Sequence, residues 1–446
     1  MGSDLTPSTL SLKRRAISGS GWSVLGFIAA QSLRLLSNLI LTRLLFPEVF
    51  GLLALVTVVL HGIKMFSDIG ISTSVMRDDR GDEKDYLNTA WTLQAIRGLL
   101  IWIVSCLLAY PASVIYNSSE IFWLIPAIGF SAVIQGFNSP TILSYRRHLR
   151  VRRLLSWELS TQVLTVVITI LLAWKYSSVW SVAIGGIFGA LFGCVLSHII
   201  AGGKLPKFTL DSDALGNIWT FGRWIFLSTA LTFVIQQGDV LILGAFLSKQ
   251  DLGMFAIAVI WSRAVLQLLL KINDQVLMPL YSQIIREDKT GIKSKIKVAR
   301  THLLLATLPM VCLMVVGGQF VIELLYDSRY FNAGWMLQVL SVGTIGSIVS
   351  ASAGAALLPL GDSFNFMLFQ VARALLLILC MLMGGYYFGV VGLISGVAAS
   401  KILSYPFLAV ILSRHKIWLP TLDISAFLLS GLFIALGFWL TNGVKL

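Results

Sequence analysis

The segment Phe50-Gly51-Leu52-Leu53-Ala54-Leu55 recurs 202 residues later as Leu252-Gly253-Met254-Phe255-Ala256-Ile257. At the same offset, Ser20-Gly21-Trp22 and Gly222-Arg223-Trp224 each open a long apolar run. Matches at one spacing indicate an internal duplication of the chain. Duplicated halves in a membrane chain are typical of transporters, whose substrate site lies where the repeats meet. We therefore predict two homologous halves with a binding site between them.

A set of glycines repeats at almost the same spacing, with an offset of 203. Glycines three and four residues apart lie on one helix face and allow a neighbouring helix to approach closely. We predict that both sets serve helix packing. They are Gly186, Gly189 and Gly193 in the first half, and Gly389, Gly392 and Gly396 in the second.

Composition places the chain in a membrane. Its 446 residues are 57% hydrophobic and 12% charged, whereas soluble domains carry about 25% charged residues. The mean hydropathy is +0.84. Thirteen apolar segments are long enough to cross a bilayer as helices, which takes about 20 residues each. They lie near residues 20–43, 49–76, 88–110, 121–145, 156–175, 179–200, 219–247, 252–280, 301–322, 333–359, 364–388, 390–412 and 422–440.

These spans predict an all-α polytopic membrane protein. Six fall in residues 1–208, six in 209–415 and one in 416–446, so we expect two six-helix lobes followed by one or two further helices. With the N-terminus in the cytoplasm, 21 Lys and Arg residues lie on the cytoplasmic side and five on the outer side. This distribution follows the positive-inside rule. It accounts for most of the formal charge of +13 without a nucleic-acid partner.

Basic residues inside the predicted spans are the candidates for function. Each would cost about 2.5–3.5 kcal/mol at the centre of a lipid-facing helix, so they cannot all face hydrocarbon. A water-filled cavity between the halves would accommodate them, and its positive excess would attract anions. Arginine binds phosphate through its planar fork of donors, so we predict a substrate with a phosphate or diphosphate head. The candidate binding residues are Arg34, Lys64, Arg223, Arg263, Arg373 and Lys401.

Acidic residues can compensate part of this charge. Lys64 and Asp68 are four residues apart, and Lys271 and Asp274 are three apart. Each pair therefore shares a helix face, and we expect both pairs to interact. Lys271 and Arg97 also lie near predicted helix ends, where a long side chain can reach the interface instead.

The remaining intramembrane carboxylates have two interpretations. Asp239 lies deep in its span and is either a partner for Arg223 or a ligand for a coupling ion. Asp68 and Asp274 are further candidates for binding a proton or Na⁺. Glu158 follows a basic loop, and we expect it to pair with that loop.

Five short motifs resemble one family. In the first half they are Ala16–Trp22 (AISGSGW), Leu41–Gly51 (LTRLLFPEVFG) and Phe66–Gly70 (FSDIG). In the second half they are Phe221–Trp224 (FGRW) and Val276–Tyr281 (VLMPLY). They resemble polysaccharide-transport proteins, the Wzx-type flippases of O-antigen and exopolysaccharide within the multidrug/oligosaccharidyl-lipid/polysaccharide exporter superfamily. The likeness covers about residues 15–415.

The resemblance implies a function and a location. It implies alternating access, coupled to an ion gradient, that moves polyprenyl-diphosphate-linked oligosaccharide units from the cytoplasmic to the periplasmic leaflet. The units would serve O-antigen, capsule or exopolysaccharide synthesis in the bacterial inner membrane, with a polymerase and chain-length or export machinery as partners. The family commonly has 14 helices, whereas one span follows the second lobe here.

Two other classes of function stay open from the sequence. A drug exporter of the same superfamily would share the fold but would need an acidic or apolar cavity. A membrane enzyme of polysaccharide synthesis would need paired acids or a histidine constellation in a pocket, and the one dense acidic stretch, Asp78–Asp85, is expected to be a solvated loop. The four cysteines lie inside predicted helices without metal-ligand spacing, so we expect no metal and no cofactor.

Overall fold

The structure is a computed structural model that describes residues 7–148, 150–201, 206–211, 225–273, 277, 281, 292–355, 357 and 362–443. The described secondary structure is helical, as predicted. The first half contributes α1 Pro7–Leu44, α2 Pro47–Phe66, α3 Ile71–Arg77, α4 Lys84–Ile115, α5 Ser119–Gly136, α6 Thr141–Arg147, α7 Val151–Tyr176 and α8 Trp180–Ala201. The second contributes α9 Ile225–Phe246, α10 Lys249–Ile272, α11 Ile292–Leu325, α12 Ala333–Gly354, α13 Ser363–Leu403, α14 Tyr405–Arg414 and α15 Pro420–Gly443.

Within the described residues, 12 segments are long and apolar enough to cross a membrane. One of them, Phe364–Arg414, has 51 residues and would extend about 76 Å as a straight helix, more than twice the roughly 30 Å hydrocarbon core. It is not straight, because Gly389 has φ 58° and ψ −137° and interrupts the helix. The segment therefore provides the two predicted spans, 364–388 and 390–412, and the described spans reach the predicted 13.

The two arms of this segment form a tight antiparallel hairpin. Gly384 lies against the backbone of Gly392, and Gly396 lies against that of Cys380, so the contacts are symmetric about the turn at Gly389. A side chain at any of these three contacting glycines would collide with backbone atoms. The predicted packing role of Gly392 and Gly396 is confirmed.

A similar hairpin of α7 and α8 closes the first half. It turns at Ser177, which adopts φ 45°, a left-handed conformation. Gly189 packs against Thr165 across the pair, and Gly193 packs against Thr161. The prediction was wrong for Gly186, whose added Cβ would meet nothing within 4 Å. In its place, the neighbouring Gly185 packs against Thr169.

The two glycine sets do not occupy equivalent places in the hairpins. The starts of α2 and α10, at Pro47 and Lys249, are 202 residues apart, as the repeat predicts. The hairpin turns at Ser177 and Gly389 are instead 212 apart, so the two halves differ in length between these points. The offset of 203 thus joins glycines at different distances from the turn, and their match reflects the general demand for small residues between membrane helices.

The chain forms two compact units. The first comprises Met1–Leu45 and Leu55–Ala230, and the second Phe46–Ala54 and Leu231–Leu446. In the first unit, α4 packs on α5, α7 on α8 and α1 on α7. In the second, α12 contacts α10, α11 and α13. Because α12 carries no charged residue and most of it is buried, it forms the centre of the second unit.

The repeated segments Phe50–Leu55 and Leu252–Ile257 begin two helices that cross closely. A side chain at Gly51 would collide with the carbonyl group of Lys249, and one at Gly253 would collide with that of Pro47. Each glycine thus meets the helix start of the other repeat, as expected of two copies related by a local twofold axis. Both ends of this contact belong to the second unit.

A buried polar network fixes α15 to the second unit. Asp423 is fully buried and accepts hydrogen bonds from Arg300 at 2.5 Å and from the Tyr405 hydroxyl at 2.5 Å. Arg300, itself 1% exposed, also donates to the Ser352 hydroxyl at 3.3 Å, and Trp418 donates to Tyr405 at 3.1 Å. From the sequence Arg300 counted among the cytoplasmic positive charges. It is instead a structural group that joins α11, α12 and α15.

The crossing of α2 and α10 generates a stability prediction. Substitution Gly253→Ala should lower the free energy of unfolding by about 1–3 kcal/mol, since the methyl group meets backbone that cannot rotate away. Thermal unfolding of the purified protein in detergent measures the effect. The matched control is Gly186→Ala, which adds the same methyl group into open space. Equal melting temperatures for the two variants would contradict the close crossing.

Candidate functional site

The predicted site residues are distributed over both units. Arg34 lies on α1 with an exposed side chain, and Lys271 lies half-buried in the last turn of α10. Arg223 and Asp274 lie outside the described residues. The other candidates fall into two groups: Lys64 and Asp68 in the first unit, and Asp239, Arg263, Arg373 and Lys401 in the second.

The group in the first unit lines a polar cavity of about 360 Å³. The cavity lies between the end of α2, α3, the middle of α4, the end of α5, α6 and the start of α7. Its polar lining combines cations, amides and hydroxyls. The polar and aromatic lining residues are Lys64, Asp68, Ser72, Gln94, Arg97, Gln135, Asn138, Ser139, Arg146 and Trp157.

Lys64 and Asp68 do not form the predicted ion pair. Helix α2 ends at Phe66, so Asp68 lies beyond it and no longer shares its face with Lys64. The Asp68 carboxylate instead accepts the N–H of Gly70 at 3.0 Å, in a turn where Gly70 adopts φ 73°. The prediction was wrong because i,i+4 pairing requires both residues to remain in one helix. Both side chains nevertheless line the same cavity.

Arg97 is a cavity residue for which the sequence left an interfacial alternative open. Its Nη2 donates to the carbonyl oxygen of Lys64 at 2.8 Å, and its Nε donates to the Ser67 hydroxyl at 3.2 Å. These bonds hold the guanidinium beside the end of α2 and inside the unit. Gln94, three residues earlier on α4, lines the same cavity. That i,i+3 spacing of two polar residues in an apolar helix is the sequence signal for a polar face.

Arg146 completes the cavity at its rim. Its side chain is 41% exposed and lies 3.6 Å from the Glu158 carboxylate. The expected pairing of Glu158 with the preceding basic loop is therefore confirmed. Since this pair is exposed at both partners, it contributes little to stability.

The group in the second unit is built around Asp239, which is 2% exposed. Arg263 of α10 forms an ion pair with its carboxylate and donates a second hydrogen bond to the carbonyl oxygen of Gln236 at 3.1 Å. The structure thus gives Asp239 a described partner, Arg263, that the sequence did not suggest. The two residues are 24 positions apart on adjacent helices, so no local spacing reveals the pair.

Two further cations surround this ion pair. Lys401 of α13 interacts electrostatically with Asp239, Arg263 and Arg373. Arg373 of the same helix donates to the Gln370 side chain at 3.0 Å, and its guanidinium lies 5.6 Å from the ring centre of Phe369. The group thus contains three cations and one carboxylate, and the carboxylate of Asp239 interacts with Arg263 and Lys401. An arrangement with this excess of positive charge favours binding of an anion.

The Asp239–Arg263 pair generates a prediction on stability. Asp239→Asn leaves Arg263 without its counter-charge and should cost about 3–5 kcal/mol. Adding Arg263→Gln should recover part of this loss, because the guanidinium that Asp239 paired with is then removed. Unfolding of the two single variants and the double variant, with Arg34→Gln as an exposed control, measures the coupling energy. Additive effects of the two substitutions would show that the pair does not interact.

Comparison with known proteins places the chain in a family. The model of a family described as polysaccharide biosynthesis protein matches residues 40–334. The lipopolysaccharide biosynthesis protein WzxC of Escherichia coli (strain K12) is 23% identical over 409 residues, which cover 89% of this chain and 80% of that protein. The succinoglycan biosynthesis transport protein ExoT of Rhizobium meliloti (strain 1021) is 22% identical over 268 residues, covering 60% of this chain and 54% of ExoT.

Solved structures share the fold. The lipid II flippase MurJ, in an inward closed conformation, matches with a TM-score of 0.71 at 12% identity, covering 94% of this chain and 93% of MurJ. An inward-facing multidrug resistance MATE family transporter matches with a TM-score of 0.63 at 14% identity, covering 93% of this chain and 96% of the transporter. These matches confirm the polytopic helical fold. The family match spans about two thirds of this chain and, with these structures, confirms the resemblance found in the motifs. The chain belongs to the polysaccharide biosynthesis protein family.

Proposed function

We propose that this protein is a flippase for polyprenyl-diphosphate-linked oligosaccharide units, working by alternating access between the cytoplasmic and periplasmic leaflets. The observation that carries the proposal is the excess of cations inside membrane-spanning helices. In the second unit, Arg263 and Lys401 interact with the carboxylate of Asp239, and Arg373 adds a third cation beside Lys401. In the first, Lys64 and Arg97 line a polar cavity. A diphosphate head supplies the negative charge that these groups lack.

The relatives support this substrate class. WzxC is named for lipopolysaccharide biosynthesis and ExoT for succinoglycan transport, and the matched MurJ structure is titled a lipid II flippase. A polysaccharide precursor on a lipid carrier fits all three names. We place the protein in the bacterial inner membrane, with its N-terminus in the cytoplasm, as a transporter and not an enzyme. Membrane lipids surround it, and a polymerase with chain-length or export machinery would take up the delivered units.

The fold alone does not distinguish this function from drug export, because MATE transporters share it. The charge of the described groups supports the flippase. An exporter of organic cations needs acidic or apolar contacts, whereas the group around Asp239 has three cations to one carboxylate and would repel a cationic drug. The electrostatics of the described residues therefore favour an anionic substrate.

In the proposed mechanism, cations bind the substrate head and a carboxylate controls their availability. Arg34, Lys64, Arg223, Arg263, Arg373 and Lys401 are the proposed binding residues. Asp239 is the strongest candidate for coupling, since it is buried and holds Arg263 in an ion pair. Protonation of Asp239 would neutralise it and release Arg263 to bind phosphate.

The other proposed coupling groups have weaker structural support. Asp68 is exposed and bonded to the Gly70 N–H, and Lys271 is the half-buried group at the end of α10. Asp274 stays a candidate from the sequence. Asp239 is proposed to bind a proton or Na⁺.

Depletion of the protein in its own host tests the function. We expect complete polyprenyl-diphosphate repeat units to accumulate in the cytoplasmic leaflet and surface polymer to fall, because translocation precedes polymerisation. Extraction of lipid-linked oligosaccharides, with a membrane-impermeant sugar oxidant to report leaflet, measures both. Normal lipid-linked pools with normal polymer would refute the proposal, as would units that accumulate in the periplasmic leaflet.

A matched pair of variants connects the function to the cations. Arg373→Gln should reduce polymer output at least tenfold at equal membrane levels, since each charge-assisted hydrogen bond contributes about 1.5–3 kcal/mol. Lys175→Gln removes one exposed charge at the end of α7 and should leave output unchanged. Equal output from both variants would remove Arg373 from the proposed site.

A further inference from the structure

In the described part of the chain, the cations that line the cavity of the first unit outnumber its carboxylates. Among the described residues, Lys64 takes part in no ion pair, and both described hydrogen bonds of Arg97 go to neutral oxygen atoms. The carboxylate of Asp68 acts on Arg97 electrostatically, but it accepts the Gly70 N–H and forms no described ion pair within 4.0 Å. Two cations in a half-buried, membrane-embedded position are costly without a counter-ion.

The lining of this cavity offers donors for an anion. Arg97 uses Nε and Nη2 on the protein, which leaves Nη1 available, and Lys64 has three ammonium donors. Gln135 and Asn138 contribute side-chain amides, and the Oδ1 atom of Asn138 is buried without a hydrogen-bond partner. A buried acceptor without a partner indicates a missing donor, such as a hydroxyl group of a ligand or a water molecule at the site.

The size of the cavity favours a head group over a single ion. Its volume of about 360 Å³ falls in the range of small-molecule sites, about 300–1,000 Å³. A phosphate group with part of its esterified alcohol fills such a space. Arg146 and Asp68 are exposed at the rim, so the cavity opens to its surroundings there.

The position of the cavity indicates where the phosphate comes from. Its lining residues lie at the end of α2, the end of α5 and the start of α7. The positive-inside distribution assigns these helix ends to the cytoplasmic side, beside the basic loop at 146–153. A lipid in the cytoplasmic leaflet presents its phosphate at this level of the bilayer.

We infer that the unit-one cavity, lined by Lys64, Arg97 and Arg146, is a binding site for the phosphate head of a lipid in the cytoplasmic leaflet. The site lies wholly within the first unit. Two lipids share the required chemistry: an anionic phospholipid and a polyprenyl diphosphate. The first would make the cavity a lipid-sensing site, and the second a loading site for the proposed substrate. The binding itself does not rest on the proposed function, since it can be measured without transport.

The experiment measures lipid binding by the purified full chain. Native mass spectrometry of delipidated protein is titrated with phosphatidylglycerol, with polyprenyl diphosphate and with zwitterionic phosphatidylethanolamine. We expect one anionic lipid to bind at least tenfold more tightly than phosphatidylethanolamine. Lys64→Gln and Arg97→Gln should each weaken that lipid about tenfold or more, the factor expected for one charge-assisted hydrogen bond. Lys84→Gln, an exposed charge on α4 outside the cavity, is the matched control and should bind as wild type.

A further variant distinguishes loss of lipid binding from loss of folding. Ser72→Asp places a carboxylate in the cavity lining, where it can serve as an internal counter-ion for Lys64 and Arg97. We expect this variant to melt at a higher temperature than wild type in lipid-free detergent and to lose the stabilisation that the anionic lipid gives to wild type.

The results distinguish the two lipids and show whether the inference holds. If the Lys64→Gln and Arg97→Gln variants lose more affinity for polyprenyl diphosphate, the cavity is a loading site. If they lose more affinity for phosphatidylglycerol, it is a phospholipid site, even if the flippase proposal fails. Equal binding of all three lipids, or variants that bind as tightly as wild type, would overturn the inference. So would a Ser72→Asp protein that is still stabilised by the lipid.

Discussion

The constraint on which this structure depends is the cost of an unpaired charge inside a bilayer. The described intramembrane cations meet that constraint in three ways. Arg300 is almost completely buried and bonded to Asp423 and Ser352, so its charge is compensated within the protein. Arg263 is paired with Asp239, which also interacts with Lys401. Lys64 is half-buried and has no ion-pair partner among the described residues. The degree to which a cation is paired within the protein therefore distinguishes structural charges from candidate binding groups.

The apolar lipid that makes a charge costly also determines how the helices pack. Lipid is as apolar as a leucine side chain, so membrane helices gain little from hydrophobic burial and depend on close contact and polar bonds. Gly51 and Gly253 provide close contact where the two repeats begin their second helices, and Gly392 provides it in the hairpin of α13. Polar bonds add to such contacts. Helix α15 packs on α11 where Gly437 meets Val316, and it is also joined to α11 through Asp423 and Arg300.

Much of the fold could be predicted from the sequence, because hydropathy alone locates spans and Gly51 and Gly253 mark the duplication. The hairpin of α13 could be placed at Gly389 from span length. Side-chain partners could not be predicted. The pairing of Lys64 with Asp68 failed because α2 ends two residues too early.

The candidate site shows the same limit. Asp239 meets Arg263 only through the packing of two helices, which no local spacing encodes. The cavity depends on six helices of one unit, so its sequence signal is spread over 94 residues from Lys64 to Trp157. What remained visible was the excess of basic residues. That excess predicts a negatively charged ligand but does not locate its binding site.

The two cationic groups differ in a way that matters for a transport cycle. A carrier must return without substrate, and an empty site with strong net charge would be costly to move through a low-dielectric environment. The group around Asp239 contains its own carboxylate, which can take the place of a departing phosphate at Arg263. The cavity of Lys64 and Arg97 has one carboxylate in its lining, Asp68, which is bonded to the Gly70 N–H and forms no described ion pair with either cation. We therefore propose that the Asp239 carboxylate exchanges with the substrate head in each cycle, whereas the cavity of the first unit has no paired carboxylate to replace its anion.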